Sequence, residues 1–155
     1  MPNMENNEQM QERVGELLAY LSENMAGTVQ GASVPRLAAC DHEARTLELV
    51  FDTAAWMRNP AGMLHGGMTA MMLDTTMGVL SFCYAGGNVT PTVTMSVSYL
   101  RPIPAGAQLH ILARADRPGR TINYISAQAW VEDADRPAAT ATGAFFAAPA
   151  EPLGK

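Results

Sequence analysis

The stretch Asn59 to Gly87, NPAGMLHGGMTAMMLDTTMGVLSFCYAGG, decides how the rest of the chain is read. Asn59-Pro60 signals a turn and Gly62 continues the loop. His65, Gly66 and Gly67 then open an apolar run that ends at the paired glycines Gly86 and Gly87. The run is apolar nearly all round, so a helix over roughly 66–84 must be covered on more than one face. One charge, Asp74, sits in mid-run among Met71, Met72, Leu73, Met77 and Val79. A carboxylate in such surroundings needs a partner or must give up its charge. A histidine and two glycines at a helix start, followed by a lone carboxylate, is a costly arrangement for folding alone. The chemistry is expected here.

The same run raises the question of a membrane, because Met63 to Gly87 approaches spanning length. Asp74 at its centre would cost about 2.5–3.5 kcal/mol in a bilayer, and Thr69, Thr75, Thr76 and Ser81 add polarity. A buried helix in a soluble, cytoplasmic protein with no membrane partner is therefore expected. The N-terminal MPNMENNEQMQER is polar and acidic and resembles neither a signal nor a transit peptide. At 155 residues the chain is expected to form one domain. Ten basic residues are scattered rather than clustered and the net charge is -5, which argues against a nucleic-acid partner. Cys40 and Cys83 form no CxxC and are expected as free thiols. His42 sits in a turn with no second ligand cluster near it, so no metal is expected.

Outward from the central run, residues 5–25 place Met10, Val14, Leu17, Leu18 and Leu21 at helical spacing, an amphipathic helix with its apolar face on the core. Arg36 to Cys40 and Thr46 to Phe51 read as a β-hairpin about the DHEAR turn. Thr53 to Arg58 is a connector that Trp56 and Met57 should anchor to the core. After the glycine pair come Thr92 to Leu100, Leu109 to Ala115, Thr121 to Glu132 and Ala138 to Phe146, separated by turns at 102–106, 116–120 and 133–136. Successive strands and turns imply an antiparallel meander. Residues 148–155 read as a flexible tail. An apolar helix among antiparallel strands must be wrapped by them, giving an α+β fold. One curved sheet covers one face of the helix, and a second subunit is expected over the rest.

The pattern formed by Asn59, Gly62, Leu64, His65, Gly66, Gly67 and Asp74 resembles the hotdog-fold acyl-CoA thioesterases of the PaaI-like (phenylacetate pathway) group. The likeness continues through TVTMSVSYLRPIPAG, RPGRTINYISAQAWVED and ATATGAFF and covers residues 35–147 as a hotdog core, with the N-terminal helix as an addition. It implies a long central helix wrapped by a curved antiparallel sheet, homodimers with active sites shared between protomers, and dimers that pair again into tetramers.

The resemblance also implies roles. The Gly66 backbone N–H would polarise the thioester carbonyl, with Gly67 shaping the oxyanion site, as glycines and free amides at a helix start allow. Asp74 would act as general base on water or as nucleophile. His65 either takes part directly or caps the turn. Asn59 would help place the water or carbonyl, its alternative being an Asn-Pro turn residue. Thr92 falls where relatives carry a hydroxyl near the attacking water, its alternative being an ordinary strand threonine. Arg120, then Arg101, are the candidates for the phosphates of coenzyme A. His110 is read as structural. Met63, Met68, Met71 and Met72 lie nearest the motif as possible pocket residues. With 6% aromatic residues, the pocket is expected to be lined by Met, Ala and Val rather than stacked rings, and medium-chain or phenylacetyl-type acyl groups are the expected substrates. No cofactor is needed, coenzyme A being part of the substrate. Two other functions fit the same residues less well: a hotdog hydratase or dehydratase on acyl thioesters, and a non-catalytic acyl-CoA binding protein.

Overall fold

The computed structural model describes residues 4–132 and 135–147. The first element, α1 (Asn7–Asn24), starts where the Asn6 side chain accepts the Gln9 N–H at 3.0 Å, an N-cap of the usual chemistry. Its Met10, Val14 and Leu21 are buried and Leu17 and Leu18 partly so, as the helical spacing requires. A hairpin follows, β1 (Arg36–Asp41) against β2 (Thr46–Asp52), one residue longer at each far end than expected. The central helix α2 (Gly66–Tyr84) has the expected bounds. Gly86 and Gly87 end it with φ of 69° and 83°, a left-handed region that L side chains avoid.

Four strands complete the sheet: β3 (Thr92–Tyr99), β4 (Gln108–Arg117), β5 (Ile122–Val131) and β6 (Ala139–Phe146). Of the expected turn at 133–136, residues 133–134 lie outside the described residues, as does the expected tail at 148–155. All pairings are antiparallel, in the order β1-β2-β4-β5-β6-β3. The meander therefore holds for β4-β5-β6 and fails for β3, which lies beyond β6 at the far edge. The physical reason lies in the segment after β3. It does not fold back as a tight hairpin, because Ile103 O accepts the Leu64 N–H at 2.7 Å and Pro104 bridges Met63, so it braces the loop before α2 instead.

Helix α2 lies across one face of this sheet, with Met72, Leu73, Met77, Leu80 and Cys83 fully buried. Its C-terminal half is held by two polar clamps. Arg13 of α1 donates to the Cys83 carbonyl at 2.7 Å, a cation on the negative end of the helix. Asn123 of β5 donates to Ser81 O at 3.2 Å and Ser81 Oγ at 3.0 Å. Both clamps sit in the core, where an unpaired polar group would be expensive. The incompletely covered side of α2 carries Gly67, Ala70, Met71, Asp74 and Gly78, which recur at helical spacing as one stripe.

Two expectations need correction. Trp56 does not anchor the connector: it is 58% exposed, while Met57 beside it is 2% exposed. The two lie on one short 3₁₀ turn (Ala55–Met57), where adjacent side chains point apart. Asp74 is half-buried rather than buried, because its sequence neighbours Leu73 and Met77 turn into the core and leave it on the uncovered stripe.

Candidate active site

The start of α2 is built by the loop before it. Asn59 Oδ1 accepts the N–H groups of Ala61 at 2.9 Å and Met63 at 3.1 Å, closing the NPAG turn. His65 N–H donates to Met57 O at 2.8 Å. His65 is the N-cap, and its Nδ1 accepts the Gly67 N–H at 2.9 Å. Nδ1 is thus the acceptor nitrogen of the ring. The His65 carbonyl accepts the N–H groups of Met68 and Thr69 at 2.9 Å and 3.1 Å. Of the four N–H groups that a helix start leaves open, three are taken. The Gly66 N–H is the one without an acceptor among the described residues. It stands at the positive end of the helix dipole.

Around it, Tyr99 at the end of β3 donates its hydroxyl to Gly66 O at 2.8 Å. A Cβ on Gly66 would meet the Tyr99 ring at 3.4 Å. Asn59, Gly66, Tyr99 and Arg101 line one hollow of about 360 Å³. Arg101 is held there by a 2.6 Å bond from its guanidinium to Pro137 O. Sequence reasoning passed over Tyr99, and no local signal marks a contact that spans 33 residues of chain.

Asp74 stands on a second hollow, of about 410 Å³. Thr92 Oγ1 donates to Asp74 Oδ1 at 2.6 Å, so this pair is brought together. The rest of the wall is largely apolar: Leu17, Tyr20 and Leu21 of α1, Val79 and Phe82 of α2, and Phe145 of β6. Gln30 closes one side and donates to Thr75 Oγ1 at 3.0 Å.

Asp74 and Gly66 are not brought together within one chain. Eight residues of helix separate them, about 12 Å of rise. Arg120 lies elsewhere again, with Arg13, Tyr84 and Gly119 around the far end of α2. Of the two arginines, Arg101 lines the hollow that holds Gly66 and Arg120 does not. Met63 shares the Gly66 hollow, whereas neither Met68 nor Met71 lines it and Met72 is buried in the core. His110 stacks on Trp130 at 5.5 Å and bonds Glu48 Oε1 at 2.8 Å, away from both hollows. Both cysteines are free, and burial pushes the Cys83 thiol up to about 12. Among the described residues no three His, Cys, Asp or Glu side chains gather to hold a metal ion, and no helix is long and apolar enough to cross a membrane.

A long helix crossing an antiparallel six-stranded sheet, with an added N-terminal helix, is the hotdog fold. The model of the thioesterase superfamily matches residues 61–138, half of the chain, from the loop before α2 to the start of β6, and the chain belongs to that superfamily. Among relatives, acyl-coenzyme A thioesterase 13 of Mus musculus is 31% identical over 68 residues, 44% of this chain and 49% of that protein. The match thus spans about half the length of that curated relative. Among solved structures, a phenylacetic acid degradation-related protein from Ralstonia eutropha JMP134 superposes with a TM-score of 0.70 at 29% identity, over 83% of this chain and 98% of that one. A protein of Streptococcus mutans UA159, solved with acetyl CoA bound, gives 0.64 at 21% identity, over 72% of this chain and 86% of that one, a likeness of fold.

Proposed function

We propose that this protein hydrolyses the thioester of an acyl-CoA to the free acid and coenzyme A, at sites that two copies build together. The observation that carries this is a pair of groups on α2 that face open space. One is the open Gly66 N–H at the helix start, and the other is the Asp74 carboxylate facing an apolar hollow. The first is a donor for the oxygen that becomes negative when a thioester carbonyl is attacked. The second either takes a proton from the attacking water or attacks the carbonyl carbon itself. In the first case the CoA thiolate leaves and takes up the proton Asp74 received; in the second it leaves behind an acyl anhydride on Asp74, which water hydrolyses to the free acid, its proton passing to the thiolate. Superfamily membership and the name of the mouse relative support an acyl-CoA substrate. Arg101 beside Gly66 is the residue for a coenzyme A phosphate.

Both groups must lie within about 3 Å of one thioester, yet one chain holds them about 12 Å apart. A second copy resolves this if its Asp74 faces the first copy's Gly66. Strand β3 supports such pairing. It is an edge strand whose Val93 and Tyr99 are 59% and 56% exposed, the kind of open edge that recruits another strand. The relatives' names and the fold likeness leave the second copy as part of this proposal.

The test uses acyl-CoA hydrolysis followed by thiol release. Asp74→Asn and Gly66→Pro should each lower kcat by roughly 10²-fold or more. Proline removes the N–H yet suits the first helical position, and His65 before it already has the extended ψ of 134° that proline needs. Equal mixing of the two variants with subunit exchange should restore about one quarter of wild-type activity, since half the dimers are hybrids with one intact site of two. Hybrids that stay inactive would place the whole site in one chain. Hydration of an enoyl-CoA without thiol release would replace hydrolysis altogether.

A further inference from the structure

Helix α2 carries a glycine that its own fold does not require. Gly78 sits in mid-helix, where glycine is the least favourable residue after proline. Its φ is not in the left-handed region, and a Cβ built on it would find only Phe145 Cε1, at 3.8 Å, an ordinary contact. Gly67 at the helix start differs, since a Cβ there would press on the His65 ring at 3.1 Å. Among the described residues, nothing approaches Gly78 closely enough to explain the missing side chain.

What lies there is the hollow that begins at Asp74. Its floor is one stripe of α2, Asp74, Gly78 and Phe82, spaced four residues apart. Its opposite wall is a stripe of α1, Leu17, Leu21 and Met25. We propose that this groove between the two helices holds the acyl group of the thioester, and that Gly78 sets how long that group can be. The inference rests on the acyl-CoA reading, because it takes the carbonyl carbon to lie at Asp74.

The dimensions name the substrate class. Gly78 lies about 6 Å along the helix from Asp74, and Phe82 about 12 Å. An extended alkyl chain advances about 1.3 Å per bond, from a C–C length near 1.5 Å. The acyl chain therefore passes Gly78 at about the fifth or sixth carbon and meets Phe82 at about the tenth. Straight acyl chains of roughly eight to ten carbons fill the groove, and its apolar wall rejects charged or hydroxylated ends. A side chain at position 78 would stand in the path of every acyl group longer than about five carbons.

The experiment compares wild type, Gly78→Leu and Gly78→Ala on acetyl-, butanoyl-, hexanoyl-, octanoyl- and decanoyl-CoA, reading kcat/KM. Gly78→Leu should lose roughly 10–200-fold on the two longest substrates, while acetyl- and butanoyl-CoA change by less than about threefold. Gly78→Ala, whose methyl fits without displacing Phe145, should show a smaller loss of the same length dependence. A uniform loss across the series, or an unchanged profile, would overturn the assignment. Calorimetry with two non-hydrolysable thioethers, decyl-CoA and methyl-CoA, separates this from failure of the hydrolase reading. If no acyl-CoA is turned over, wild type should still prefer the decyl ligand, and Gly78→Leu should lose that preference. Equal binding of both thioethers by both proteins, or binding of neither by wild type, counts against the groove itself.

Discussion

Removal of the Thr92 hydroxyl tests whether the contact with Asp74 serves catalysis or only the sheet. Thr92→Val keeps the shape and the strand preference of the side chain. It deletes one bond, the 2.6 Å donation to Asp74 Oδ1. A hydrogen bond to a charged group contributes about 1.5–3 kcal/mol. Both partners here are open to water, so about 1–2 kcal/mol is the appropriate range. Losing the anchor frees rotation about the last torsion, which is broad for aspartate. Misplacement of a reacting group by an ångström can cost about 10²-fold, so the effect expected is one of orientation. The expected result is a fall in kcat of about 5–30-fold with a smaller change in KM, because the bond removed is to Asp74 rather than to the acyl chain. Thr92→Ser should keep most of the activity. Steady-state kinetics on one acyl-CoA suffices for the assay. Wild-type kcat in Thr92→Val, equal impairment of Thr92→Ser, or a rise in KM alone would refute the reasoning.

His65 should matter to stability through its cap on the Gly67 N–H. His65→Ala is expected to cost about 1 kcal/mol and lower Tm by about 2–4 °C, with His65→Asn retaining much of the cap, as thermal denaturation would show. Cys83 gives a pH prediction. Burial raises its folded-state value to about 12 from an ordinary 9.0, so the fold favours the protonated thiol. Its contribution is fully present below pH 9 and is lost as pH rises from about 9 to 12, on the order of 4 kcal/mol in all. Urea melts at rising alkaline pH should show this decline, steepened by Tyr84, which burial also raises. Cys83→Ala should flatten it, and a decline of equal slope in that variant would contradict the assignment.

Much of the fold could be read from the chain because local chemistry sets it. Helix α2 begins and ends where the Asn59-Pro60 loop, the His65 cap and the Gly86-Gly87 pair say it must. The position of β3 could not be read the same way. Alternation in TVTMSVSY shows that the segment is a strand but not which strand it pairs with. Partner choice was settled by a bond 39 residues away in sequence, from Leu64 N–H to Ile103 O, which spends the following turn on the site loop. Trp56 misled for a related reason: size predicts burial only when the backbone points the side chain inward, and a 3₁₀ turn pointed it out.

The glycines of α2 show where further reading of the sequence was possible. Three of them lie in one helix, where glycine costs conformational entropy, so each invites a cause. For Gly67 the His65 ring supplies one, and for Gly66 the open N–H at the helix start does. For Gly78 no described residue supplies one. A sequence can reveal that a position must be empty without revealing what passes through it. Here the emptiness lies four residues from Asp74 on the same stripe, facing the apolar side of α1. The acyl group proposed for this groove supplies such a cause. For that reason the length profile of Gly78 variants bears on the function as directly as the loss of activity in Asp74 variants.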